Sequence, residues 1–125
     1  MPTSPLAATG ATALTAGTLS GTWQLVDIQP AGQAVQPRPA TASYNLTFEN
    51  DRASTRADCN VCGGSLTISG QTVTIGPAMA CTRAACPTME FESVYESILG
   101  GDSNAVLQST SLTLSSARGV LRYQR

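Results

Sequence analysis

Leu66-Thr67-Ile68-Ser69-Gly70-Gln71-Thr72-Val73-Thr74-Ile75 reads as two short strands around a tight turn. Leu66 and Ile68 on one side, and Val73 and Ile75 on the other, alternate with polar residues, which is the period of a strand with one buried face. Ser69-Gly70-Gln71 supplies the punctuation between them, with a glycine where the chain must reverse. The stretch predicts an antiparallel hairpin, and so a chain built mainly of neighbouring antiparallel strands.

Working outward, four cysteines bracket this hairpin: Cys59-x2-Cys62, an 18-residue gap, then Cys81-x4-Cys86. Three chemistries fit such clustering. The first is a pair of disulfides in an exported domain; the second is a zinc site with four thiolate ligands; the third is a redox pair at Cys59 and Cys62. Zinc ribbons usually close on a second two-residue spacing and nucleate domains too small to fold alone, whereas this chain has strands enough for its own core. A redox pair needs an environment that stabilises a thiolate, and Asp58 beside Cys59 opposes that. Disulfides are therefore expected, with no metal and no cofactor. The hairpin turn brings Cys62 back toward Cys81 and leaves Cys59 further out toward Cys86, which favours nested pairing. The crossed alternative, Cys59 with Cys81 and Cys62 with Cys86, stays open on spacing alone.

Further out, the signals are again short strands. Trp23 and Leu25 share one parity and Val26 and Ile28 the other, so this strand is bulged or buried on both faces, with Trp23 as a core anchor. Pro30 to Pro39 is too rich in proline for a ladder. Tyr44, Leu46 and Phe48 alternate cleanly before a turn at Glu49-Asn50-Asp51. Residues 105–109, 112–115 and 120–124 read as three more strands. One helix interrupts them: Phe91, Val94, Tyr95, Ile98 and Leu99 form a helical stripe, Pro87 fits a first helical position, Glu90 and Glu92 face the positive end of the dipole, and Gly100-Gly101 stops it. The class expected is mostly β (α+β): a small antiparallel sheet domain with one packed helix.

Composition narrows function. The chain has 125 residues, a net charge of −1 and 12% charged residues, and Ser and Thr make up 29 positions, which suits exposed strands. Seven arginines without a dense basic run leave no footprint for nucleic acid. There is no histidine and no lysine, so Ser-His-Asp and Cys-His pairs, histidine-ligated metals, lysine Schiff bases and P-loops are all excluded. A non-enzymatic protein is expected. No apolar run approaches the roughly 20 residues that span a bilayer. Residues 1–18 read as a Ser/Thr/Ala/Pro/Gly-rich disordered tether and 19–125 as the folded domain, with any export signal or lipidated cysteine expected upstream of Pro2.

Leu19-Ser20-Gly21-Thr22-Trp23, Leu46-Thr47-Phe48, Asp58-Cys59-Asn60, Val73-Thr74-Ile75-Gly76-Pro77, Cys81-Thr82-Arg83-Ala84-Ala85-Cys86-Pro87 and the closing Leu121-Arg122-Tyr123 occur in an order that resembles the META domain (HslJ-like) family. The resemblance covers about residues 19–125. It implies a mostly antiparallel, partly barrel-like structure with one helix across it, in exported or lipid-anchored bacterial envelope proteins associated with heat shock. It also implies that cysteines matching Cys59 and Cys86 recur in the family, so that Cys62 and Cys81 are an added pair, which again favours nesting. It transfers no catalytic residues.

Two functional expectations follow. The leading one is a disulfide-stabilised stability or interaction module, monomeric, meeting a protein partner. The alternative is a protease inhibitor presenting the Cys81–Cys86 loop, with Arg83 as the partner-binding residue on a stiff segment. The plainer role for Arg83 is to pair with Asp58 or to cap carbonyls within the loop. Glu90, Glu92 and Glu96 are expected to be a solvated acidic face without a basic neighbour. A small apolar ligand in the barrel mouth is a third possibility, and requires a cavity.

Overall fold

A computed structural model of the protein describes residues 14–76 and 79–125. Among the described residues ten strands and two helices follow one another as α1 (Ala16–Leu19), β1 (Gly21–Pro30), β2 (Gln36–Pro37), β3 (Tyr44–Glu49), β4 (Arg52–Ala57), β5 (Asn60–Ser69), β6 (Thr72–Ile75), β7 (Ala80–Cys81), α2 (Met89–Leu99), β8 (Gly101–Gln108), β9 (Ser111–Ser116) and β10 (Gly119–Gln124). Eight of the strands run β1-β3-β4-β5-β6-β8-β9-β10, each antiparallel to the next, and β10 returns to pair with β1. The result is a closed antiparallel barrel, which removes the exposed edges of an open sheet. The short β2 and β7 add to β1 and β5 from outside this circuit.

The hairpin expected around Ser69-Gly70-Gln71 is β5–β6, in register Leu66↔Ile75 and Ser69↔Thr72, with Gly70 at φ 60° in the turn. The parity change in the first strand is a bulge: the register against β10 shifts between Leu25 and Asp27. The Pro30–Pro39 segment is not wholly without pairing, because Gln36 and Pro37 meet Ile28 and Asp27. Its prolines keep it from a longer ladder, and beside this bridge the Arg38 and Ala31 N–H groups donate to Val26 O and Arg118 O. The helix starts at Met89 with Thr88 as its N-cap, two residues later than a first turn at Pro87. The tether expected over residues 1–18 lies outside the described residues up to 13; from Thr15 the chain is folded, with a Thr15–Thr18 capping box opening α1.

The interior is aromatic. Trp23, Tyr44, Phe48, Tyr95 and Tyr123 are all at most 1% exposed, together with Leu19, Leu25, Ile28 and Leu46. Tyr95 of α2 donates to or accepts from Thr55 Oγ1 at 2.7 Å and the Tyr123 hydroxyl at 2.9 Å, and Thr55 also donates to Asn45 O. Thr55 and Tyr123 belong to β4 and β10, which are separated by two strands, so the helix sends Tyr95 into the middle of the barrel. Burial pushes the Tyr95 hydroxyl up to about 12, against the hydrogen bonds from Thr55 and Tyr123.

Candidate functional site

The site grows from Asp58-Cys59-Asn60, the turn between β4 and β5. Asp58 adopts a left-handed φ of 59°, a conformation that Asp tolerates better than most residues. Its Oδ2 accepts from Thr88 N at 2.9 Å and Thr88 Oγ1 at 2.7 Å, which fastens the start of α2 to the turn. The Thr88 hydroxyl also meets the Tyr44 hydroxyl at 2.7 Å. Burial raises the Tyr44 hydroxyl above its ordinary range; the Thr88 hydrogen bond opposes this, and the nearby carboxylates of Asp58, Glu92 and Glu96 add to it.

Two disulfides surround this turn. Cys59 joins Cys86 and Cys62 joins Cys81, with Cα atoms 5.8 and 4.0 Å apart, in the nested arrangement. Cys62 and Cys81 also face each other across β5 and β7. All four sulfurs are bonded in these pairs. The zinc reading is thereby corrected, because a disulfide sulfur carries no thiolate charge to bind a cation. The Cys59–Cys62 redox pair is corrected too, each partner being bonded elsewhere.

Asn60 organises the loop that these bonds anchor. Its buried side chain accepts at Oδ1 from Thr82 Oγ1 (2.9 Å) and from Ala84 N (2.8 Å), and donates from Nδ2 to Ala84 O (2.9 Å). The same Nδ2 lies 3.2 Å from Cys86 Sγ and 2.9 Å from Glu92 Oε2. Thr82 continues the strand pairing, donating its N–H to Val61 O and accepting Val61 N at Oγ1. One amide thus grips the loop on both sides of Arg83.

Arg83 is exposed and makes no hydrogen bond or ion pair with any described residue. Its expected partner Asp58 is occupied by Thr88. Arg83 instead lines an open cleft of about 240 Å³ with Asn60, Thr82, Met89, Glu92 and Glu96. The solvated acidic face is corrected in part: Glu90 is exposed as expected, but Glu92 is 9% exposed and Glu96 is half-buried, with Oε2 3.5 Å from Cys62 Sγ. Burial holds the Glu96 carboxyl above the usual range; its hydrogen bond with Glu92 and the charge of Glu92 raise it further, and the Arg83 guanidinium pulls it down. A basic neighbour that spacing did not reveal therefore sits across the cleft. Asn60 is the functional residue that sequence reasoning left unassigned; its only signal was its place after Cys59.

Comparison with known proteins bears on the fold. Three solved structures share it: an NMR structure of a protein from Burkholderia xenovorans (TM-score 0.71, 21% identity, covering 88% of this chain and 85% of that one), a second NMR structure (0.69, 21%, 89% and 94%), and the crystal structure of a lipocalin-like protein from Bacteroides uniformis ATCC 8492 (0.58, 17%, 87% and 99%). No curated protein matches the sequence. The META domain family model matches residues 13–125, from just before α1 to the end of the chain, and the protein belongs to the META domain family.

Proposed function

We propose that this protein is a non-enzymatic, exported or envelope-associated binding module that meets a protein partner, as a monomer, through the Cys81–Cys86 loop and Arg83. The observation that carries the reading is an exposed guanidinium, without a hydrogen bond or ion pair among the described residues and with Glu96 as its nearest charge across the cleft, on a segment fixed at both ends by disulfides and in the middle by Asn60. Arg38, Arg118 and Arg125 use their guanidinium groups on backbone carbonyls and Arg122 pairs with Asp27 at 2.8 Å. Arg52 likewise forms no hydrogen bond or ion pair among the described residues; of the two, Arg83 is the one on a loop held by both disulfides and by Asn60, with its guanidinium near the Glu96 carboxyl but not bonded to it. Pre-ordering removes much of the entropic cost of docking. Two disulfides support a non-reducing compartment, and no described helix is long and apolar enough to cross a membrane. Nothing in the residue set supplies a general base with a tuned imidazole, which favours binding over catalysis.

The test compares oxidised wild-type protein with Arg83→Ala. The substitution removes no intramolecular bond, so thermal midpoints should agree within about 2 °C, while proteins captured from an envelope extract by the wild type should be lost from the variant. Identical capture by both would eliminate Arg83 as the contact.

A second reading, inhibition of an arginine-specific serine protease, is favoured by one detail. Asn60 holds Thr82 and Ala84, the residues on either side of Arg83, so a cut after Arg83 would leave both new ends in place and poised to rejoin. Slow, Arg83-dependent inhibition of trypsin is the expected sign. Rapid cleavage at Arg83 without inhibition would discard this second reading and leave the first intact.

A further inference from the structure

The two disulfides have unlike surroundings. In each bond one cysteine is accessible and the other is not: Cys59 is exposed and Cys86 is 6% exposed, whereas Cys81 is half-buried and Cys62 is fully buried. Thiol–disulfide exchange requires an incoming thiolate to reach one sulfur in line with the bond, and the other sulfur to leave as a thiolate. Cys59 and Cys81 are the more exposed residue of each bond and so the side open to attack, which makes Cys86 and Cys62 the leaving sulfurs.

Those two leaving groups meet opposite fields. Cys86 Sγ lies 3.2 Å from Asn60 Nδ2 and shares that group's two N–H donors with the Ala84 carbonyl and the Glu92 carboxylate, a shared contact that still favours negative charge on sulfur. The Glu92 carboxylate lies beyond that same amide group, and the Ala84 carbonyl oxygen is 3.5 Å from the sulfur. Cys62 Sγ has no such donor among the described residues; it has Glu96 Oε2 at 3.5 Å, a carboxyl whose own charged neighbours are Glu92 and, opposing it, Arg83. A carboxylate that close disfavours a second negative charge in a poorly hydrated place. Near Cys59 the Asp58 carboxylate is already engaged by Thr88, and Arg56 reaches Asp58 O at 3.5 Å.

We propose that Cys59 is a thiol–disulfide exchange site for dithiol reductants, so that the Cys59–Cys86 bond opens selectively while Glu96 keeps Cys62–Cys81 closed. In the first step a reductant thiolate bonds to Cys59 Sγ, the Cys59–Cys86 bond breaks, and the electron pair departs on Cys86 Sγ. The reductant's second thiol then displaces Cys59, giving an oxidised reductant and, after two protons are taken up, two protein thiols. The end of the loop at Cys86 is released while the end at Cys81 stays bonded. This inference stands on the surroundings of the sulfurs and does not depend on what Arg83 binds.

The experiment exposes folded full-length protein to dithiothreitol, removes samples at intervals into iodoacetamide, and maps alkylated cysteines by peptide mass. Labelling of Cys59 and Cys86 should precede that of Cys62 and Cys81 by at least about tenfold in rate. In Glu96→Gln, checked for folding by circular dichroism, the Cys62–Cys81 rate should rise and the gap narrow, with the Cys59–Cys86 rate unchanged. Simultaneous labelling of all four cysteines, or labelling of Cys62 and Cys81 first, overturns the proposal. A Glu96→Gln gap as wide as in the wild type overturns the part assigned to Glu96, and the wild-type order still decides the site should that variant not fold.

Discussion

Glu92 and Glu96 lie one turn apart on α2, and the burial that raises the Glu96 carboxyl has a consequence for stability. A carboxyl with a raised native value holds its proton to a higher pH in the folded state than in the unfolded one. Its stabilising effect is complete below the ordinary value of 4.5 and is lost as pH rises through the raised value. Glutamine stays neutral throughout and escapes this loss. The melting temperature of Glu96→Gln, compared with the wild type across acid to neutral pH, should therefore improve relative to the wild type as pH rises. A difference that is flat with pH, or that grows toward acid, contradicts the assignment. At this scale the sequence was only partly legible. The apolar stripe of α2 was visible from its period, but Glu92 looked solvated because the group that buries it, Asn60, is 32 residues away and marked by no pattern. Long-range polar partners of this kind have no periodicity to betray them.

Among the elements, β4 shows why some strands hide. Its inward residues are Ala53, Thr55 and Ala57, all at most 2% exposed. Small side chains there make room for Tyr95, so this strand lacks the large apolar residues that signal β5 and β6. The β9–β10 turn constrains the chain in another way. Gly119 has φ 146°, and a Cβ there would come within 2.5 Å of Gln29 O and 3.1 Å of Pro30 Cα, both backbone atoms of β1. Gly119→Ala should cost about 3 kcal/mol or more in urea denaturation, since neither backbone nor neighbour has anywhere to move. Gly70→Ala is the natural comparison: it has a similar need for positive φ, at 60°, but open space around it. It should cost only about 1 kcal/mol. Equal losses at the two sites would mean that crowding against β1 does not matter.

For the whole molecule, the barrel and the disulfides are separable sources of order. The eight-strand circuit closes through backbone pairing, and the two sulfur bridges lie in one region beside it. With Cys62–Cys81 still joined, replacing Cys59 and Cys86 together by serine reopens a loop of only about ten residues and should lower stability by about 2–3 kcal/mol in the chain-entropy model. The strand signature in circular dichroism should remain, and its disappearance would show that the barrel needs the bridge to form. That the strands were antiparallel could be read from one hairpin; that they close could not, because closure depends on a pairing between β1 and β10 that joins positions such as Gln24 and Gln124. Only the resemblance to a family pointed toward a barrel.

That seam also dictates an order of events. A chain emerging N-terminus first carries β1 with one unsatisfied edge while β3 to β9 are made, since β10, which completes it, follows them in the sequence. The sulfur-rich middle is finished well before then. Oxidation of the cysteines can thus precede the final zipping of the sheet, and a chaperone guarding a half-made molecule would find its target at the waiting edge beside Trp23.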